Sequence, residues 1–152
     1  MQTENTDQIL IREANLTDAQ RIAALCDLLG YPTSEEKVSD RLKSLASSQE
    51  HIVYVAYLPN EPILGWVHAH VLELVILEKL AVIFGLIVDP NYQRCGAGRL
   101  LMQCAEQWAK EQGCESILVR SNVMRQEAHE FYEKIGYVRL KTQLVLSKEL
   151  NK

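Results

Sequence analysis

A turn carrying two glycines and a pair of histidines two residues apart are the parts of this chain whose types and spacing could do chemistry. The stretch IVDPNYQRCGAGRLLMQ, residues 87–103, opens as a β-branched apolar run. It passes through a polar turn with Gly96 and Gly98, then continues with apolar residues at helical spacing. A helix N-terminus offers N–H groups with no intrahelical acceptor and about half a positive charge. Removing the Cβ atoms at Gly96 and Gly98 lets an anion approach that backbone. Arg94 and Arg99 add charge beside it. The chemistry implied is the seating of phosphate groups. In GWVHAHVL, His68 and His70 share one face if the run is a strand. An imidazole of ordinary pKa, about 6.5, suits proton transfer at neutral pH.

Three ligands fit a glycine-rich strand-to-helix turn. A nucleoside triphosphate in a P-loop requires Gly-Lys-Ser/Thr, whereas Gly98 is followed by Arg99-Leu100. A dinucleotide requires a third glycine where Leu101 stands, and an acidic residue ending the next strand, which instead closes on Arg120-Ser121. The third ligand is a pyrophosphate that is not part of a dinucleotide.

The third case resembles a known family. Gln93-Arg94-Cys95-Gly96-Ala97-Gly98 is similar to the Q/R-x-x-G-x-G/A signature of the GNAT superfamily of acyl-CoA N-acyltransferases. LIVDPNY resembles that family's apolar strand and V-x-P turn. GCESILVRSNVMRQEAHEFYEKIGY resembles its next strand, its Asn, its Tyr-bearing helix and its terminal G-[FY]. The resemblance implies an enzyme that moves an acetyl group from acetyl-CoA to a primary amine of a small molecule or peptide by direct attack, without a metal. It implies that Gln93, Arg94, Cys95, Gly96, Ala97, Gly98 and Arg99 seat the pyrophosphate. The pantetheine arm would lie along the backbone of Leu86, Ile87 and Val88 like an added strand. An N–H near Leu86 or Ile87 would polarise the thioester carbonyl. Asn122 would contact the arm, although an Asn between strand and helix also reads as an N-cap. Tyr132 would protonate the departing thiolate and also touch the cofactor. Family members are often homodimers. The fragment SNVMRQEAHEFYEKIGY resembles the branch that acetylates small molecules, including relatives of aminoglycoside acetyltransferases.

The base departs from the family pattern. Many members carry a glutamate on the central strand, but residues 81–88 hold no carboxylate. A lysine-like amine is neutral only about once in a few thousand molecules at pH 7, so a base is needed. His68 or His70 is the expected one, with Glu73 and Glu78 as substitutes. The missing carboxylate also keeps open a second reading, a catalytically degenerate acyl-CoA-binding sensor or partner module. Glu35, Glu36, Glu73 and Glu78 favour a cationic acceptor.

The elements that must position these groups follow from hydrophobic period and punctuation. Strands are expected at 8–14, 51–58, 63–77, 80–88, 116–120 and 137–148. Capping boxes Thr17-x-x-Gln20 and Thr33-x-x-Glu36 start the first two helices. A third helix follows the glycines to Gly113, and a fourth spans 125–136. The run at 80–88 is apolar at successive positions, as in a mid-sheet strand buried on both faces. The expectation is one α/β N-acetyltransferase domain over residues 1–152. Its central sheet is mixed, and the resemblance implies that it is mostly antiparallel, splayed between the fourth and fifth strands and flanked by helices.

Bulk properties narrow the remaining classes. The chain has 152 residues, 47% of them apolar, and a net charge of −4, so a nucleic-acid partner is not expected. The longest apolar run, LAVIFGLIV, is far shorter than the ~20 residues that cross a bilayer, and the polar first residues do not read as a signal peptide. Cys26, Cys95, Cys104 and Cys114 form no C-x-x-C pair. They read as free thiols of a cytoplasmic protein, not as metal ligands.

Overall fold

The computed structural model describes residues 9–92, 95–121 and 126–151. Two compact units follow one another, the first ending at Arg120 and the second starting at Ser121. The first is built on a five-stranded sheet in the order β1-β2-β3-β4-β5. Its strands are β1 Leu10–Glu13, β2 His51–Tyr57, β3 Gly65–Leu72, β4 Leu80–Val88 and β5 Ser116–Val119. The first four pair antiparallel and β5 joins β4 in parallel. The mixed, mostly antiparallel sheet is as the sequence implied.

Helices α1 (Ala19–Cys26) and α2 (Glu35–Ala46) lie between β1 and β2 in sequence. Their starts differ from the expected capping boxes. A single 3-10 turn, Leu16–Asp18, precedes α1, and Asn15 caps it by accepting from Thr17 N while Asp18 accepts from Asn15 N. The box is thus Asn15–Asp18, two residues ahead of Thr17–Gln20. Ser34, not Thr33, caps α2 by accepting from Lys37 N at 3.1 Å. In both places adjacent residues could have capped, and the backbone geometry selected one. Arg12 on β1 donates two bonds to the Asp18 carboxylate at 2.8 and 2.9 Å, pinning the helix start to the sheet edge. Burial would raise the Asp18 carboxyl, but the guanidinium and the Asn15 N–H outweigh it and hold the carboxyl below its usual value.

The two sheet faces have different cover. Val55 of β2, Trp66 of β3 and Ile87 of β4 are neighbours across the strands and pack under Ala19, Ile22, Ala23, Leu25 and Val38 of the first two helices. The alternate residues Val67, Ala69 and Val71 are buried on the other face. Helix α3 (Ala97–Glu111) packs on β2, β3 and β4 and buries Leu101, Met102, Ala105 and Trp108.

Two strands depart from expectation in the first unit. β3 stops at Leu72 instead of continuing to residue 77, and residues 73–78 are exposed. The apolar LVIL run that suggested a longer strand gains no paired neighbour among the described residues. β4 is buried from Leu80 to Ile83, but Phe84 is 51% exposed and Gly85 and Leu86 are half-buried, so its second half is not enclosed. In the second unit, α4 spans Gln126–Lys134 and ends at Gly136, whose φ of 106° is the left-handed conformation of a helix terminator. The strand expected over 137–148 does not form.

Candidate active site

The second half of β4 has one side unpaired by any strand among the described residues. Its pairing with β5 runs from Leu80–Ser116 to Ile83–Val119 and stops there. At the same level the register with β3 slips by one residue. His68 faces Gly85 while Ala69 faces Ile83, leaving Phe84 as a bulge. A bulge bends its strand and increases local twist, so β4 turns where β5 leaves it. Gly85 is required there because a Cβ would come within 2.6 Å of the Trp66 ring. An isolated glycine inside an apolar strand is the signal that could have revealed the bulge.

Strand geometry fixes which backbone groups face the opening. Val71 N donates to Glu50 O on the β2 side, so Val67 and Ala69 turn toward β2, and Trp66 turns toward β4. Trp66 is paired with Ile87. Ile87 therefore directs its N–H and C=O at β3, and Leu86 and Val88 direct theirs to the open side. Asp89 N donating to Leu64 O at 2.7 Å fits the same alternation. Of the two expected carbonyl donors, Leu86 has its N–H on the open side.

The strand leads into the glycine turn through a charged clasp. Asp89 accepts from Asn91 N at 2.9 Å and from Arg21 Nη2. The same arginine donates through Nε to Ile63 O at 2.9 Å. The Asn91 N–H, opposed by burial and aided by the Arg21 charge, holds the Asp89 carboxyl below its usual range. Arg21 thus ties α1 to the end of β4, a tie 68 positions apart in sequence that no local pattern reveals. The Cys95 thiol donates to Tyr92 O across the turn.

Gly96 starts α3 with a φ of 92°, and no side chain caps that end. Among the described residues, a Cβ on Gly96 would meet nothing within 4 Å. The glycine is thus demanded by its left-handed backbone, and no described residue fills the space beside it. The first helical bond is Leu100 N to Gly96 O at 3.0 Å. Among the expected phosphate ligands, Ala97 is buried, Cys95 and Gly98 are half-buried and Arg99 is exposed. Gln93, Arg94 and Asn122 lie outside the described residues.

The two candidate bases belong to a cluster of three imidazoles. His51 at the start of β2 stacks on His70 with ring centroids 3.9 Å apart and planes 4° apart, and its Nδ1 lies 2.9 Å from His68 Nε2. The bulged Phe84 leans on both His68 and His70 at 5.7 Å. Burial, then repulsion by His51 and His70, pushes His68 down to about 4. Burial and His70 also lower His51. His68 therefore stays neutral throughout the physiological range and is a weak proton acceptor. Glu73 and Glu78 are exposed on the segment after β3. Among the described residues no group of three or more His, Cys, Asp or Glu side chains could hold a metal ion.

Sequence reading missed His51, Arg21 and Asp89. Cross-strand register brings His51 opposite His70, and that register is invisible until β2 and β3 are paired. Tyr132 lies on α4 in the second unit, half-buried, with its ring edge-on to Phe131 at 5.1 Å and to Tyr137 at 5.8 Å. Tyr137 N donates to Tyr132 O at 2.9 Å and closes the helix end.

The chain is similar to known proteins. An aminoglycoside N(6')-acetyltransferase type 1 from Stenotrophomonas maltophilia is 27% identical over 132 residues, covering 84% of each chain. The crystal structure of an aminoglycoside 6'-N-acetyltransferase from Acinetobacter baumannii superposes with a TM-score of 0.81 at 21% identity, covering 93% of this chain and 99% of that one. An aminoglycoside acetyltransferase solved with a bisubstrate analogue of CoA and acetylneamine superposes with a TM-score of 0.80 at 13% identity, covering 93% and 98%. The model of the acetyltransferase (GNAT) family matches residues 16–137, and the protein belongs to that family.

Proposed function

We propose that this acetyltransferase uses acetyl-CoA to acetylate a primary amine on a cationic small molecule of the aminoglycoside kind, and that residues 1–152 act as one catalytic domain. The observation that carries the reading is the half-open β4 running directly into an uncapped, glycine-started helix. Open strand groups at Leu86 and Val88 suit an amide-bearing pantetheine arm. The α3 N-terminus with Gln93, Arg94 and Arg99 suits a pyrophosphate. The family match extends from residue 16 to 137, across both compact units, which supports a single domain. The neighbour solved with a CoA bisubstrate analogue supports the cosubstrate.

In this reading the amine nitrogen attacks the thioester carbonyl, whose oxygen gains charge and is met by the Leu86 N–H. The C–S bond then breaks, leaving an amide and a CoA thiolate that takes its proton from Tyr132. Asn122 holds the arm. The proton lost by the amine goes to His70 directly or through water, with His68 and His51 as its neutral neighbours. The relatives named for aminoglycosides support the acceptor class. So do the exposed Glu73 and Glu78, and the exposed Glu35 and Glu36 at the start of α2. Four cysteines without a disulfide among the described residues suit a reducing cytoplasm. Tyr132 and the family match leave the non-catalytic sensor without a favouring observation. The test is turnover of acetyl-CoA against aminoglycosides, polyamines, simple amines and peptide N-termini. Turnover greatest with aminoglycosides supports the acceptor class, and turnover confined to peptide N-termini overturns it.

A further inference from the structure

We infer that Arg21, on the first helix, is a positioning residue for the phosphate groups of acetyl-CoA. Acting through Asp89, it sets where the glycine-started end of α3 stands relative to the open half of β4. This rests on the acetyl-CoA reading of the site. One cofactor must reach both places at once, its arm along Leu86 and Val88 and its phosphates at Gly96. The spacing between them is therefore part of the site, and the chain between Val88 and Gly96 makes that spacing.

The joint is Asp89, whose hydrogen-bonding groups are all committed. Its N–H donates to Leu64 O at 2.7 Å, and its carbonyl accepts from Tyr92 N at 2.8 Å. One carboxylate oxygen accepts from Asn91 N at 2.9 Å and the other from Arg21 Nη2. The bond to Leu64 fixes the end of β4. The bonds from Asn91 and Tyr92 wind the chain into the single 3-10 turn Pro90–Tyr92, and the Cys95 thiol then donates back to Tyr92 O. No side chain caps the start of α3. Its place is inherited from the turn before it, and the turn takes its orientation from the Asp89 carboxylate.

Arg21 holds that carboxylate. Asp89 is only 9% exposed, so an anion deprived of its guanidinium would rotate toward water or take a proton. Rotation also releases the Asn91 N–H and with it the turn. The guanidinium has a second anchor, its Nε donating to Ile63 O at 2.9 Å in the lead-in to β3. One planar fork thus joins α1, the entry to β3 and the exit of β4. A lysine, with a single point of charge, cannot keep both bonds.

The test compares acetyl-CoA with S-acetylpantetheine, which keeps the arm and thioester but lacks the diphosphate and nucleotide. Binding to the full chain and its variants is measured by titration calorimetry for the first and by NMR shift titration for the second. Arg21→Gln should bind acetyl-CoA at least about tenfold more weakly, the order expected for a lost hydrogen bond to a charged group. It should bind S-acetylpantetheine as the unaltered protein does. Arg21→Lys should recover part of the lost affinity. Because Arg21 acts through Asp89, adding Arg21→Gln to Asp89→Asn should weaken acetyl-CoA binding little further. Unchanged acetyl-CoA affinity in folded Arg21→Gln overturns the inference. So does an equal loss for both ligands, which marks a purely structural role, or losses that multiply in the double variant. If Arg21→Gln fails to fold, Arg21→Lys decides with the same two ligands. An unaltered protein that binds neither ligand overturns the acetyl-CoA reading itself, and the inference with it.

Discussion

His51 Nδ1 lies 2.9 Å from His68 Nε2, so the two facing nitrogens can share only one proton. Charging both rings would set N–H against N–H beside a third imidazole, His70, stacked at 3.9 Å. Burial first, and this repulsion after it, hold His68 at about 4, and the shift divides the roles of the two histidines first considered as bases. The pH–rate profile of kcat/KM for His68→Gln and His70→Gln, each with the same amine, checks the division. His70→Gln should lose the acidic limb of the profile and fall at least about tenfold in rate. His68→Gln should keep that limb, because a group titrating near 4 cannot produce it. If both variants keep the profile of the unaltered enzyme, the base is elsewhere, and Glu73 and Glu78 come next.

The same cluster has a signature in stability. A histidine lowered from 6.5 to about 4 on folding binds its proton more readily in the unfolded chain. Folding stability is therefore lost as pH falls from 6.5 toward 4, and that loss levels off below the folded value. Asp18 and Asp89 act lower down. Both are held below 3.8 in the folded protein, so the stability they contribute is present above that value and disappears as pH falls through their folded pKa values. Thermal melts across pH 3–7 should show both windows, and His68→Gln should flatten only the upper one. An unchanged slope between pH 6.5 and 4 in that variant contradicts the assignment.

Gly96→Glu separates the turn's shape from its ligand. The left-handed φ of 92° makes a side chain there cost about 1–2 kcal/mol. With no described residue in the way, the variant should fold. At acetyl-CoA a hundredfold above its Kd, the unaltered protein should gain about 2.7 kcal/mol, a Tm rise of about 5–10 °C for a domain of this size. The glutamate should abolish that rise by repelling the phosphates. An undiminished shift would remove the phosphate seat from this turn.

Tyr132→Phe keeps the ring that packs edge-on to Phe131 and Tyr137 and deletes only the hydroxyl. Stability and acetyl-CoA affinity should change little, and kcat should drop about 10²–10⁴-fold. Normal turnover in the folded variant would assign the proton to water or another group.

How much of this was legible in the sequence depended on range. β4 from Leu80 to Val88 and the helix started by Gly96 could be read residue by residue, because an apolar run followed by a glycine turn is a local signal. The caps at Asn15 and Ser34 were misplaced by one or two residues, because neighbouring polar side chains compete and only the backbone decides. The bulge at Phe84 was hinted at by Gly85 alone. His51 beside His68, and Arg21 on Asp89, depend on cross-strand register and on where α1 lands, which no window of sequence contains. The stretches 73–77 and 137–148 have strand periodicity but gain no ladder within the described chain, since periodicity reports a face and not a partner.

The most direct measurement is mass spectrometry of an aminoglycoside incubated with acetyl-CoA and the purified protein, with thiol release followed in parallel. The account predicts one acetyl group added at an amine, one CoA thiol released per product, and loss of both in Gly96→Glu. Thiol release with no acetylated amine among aminoglycosides, polyamines, simple amines and peptides, or acetylation undiminished in folded Gly96→Glu, would contradict it.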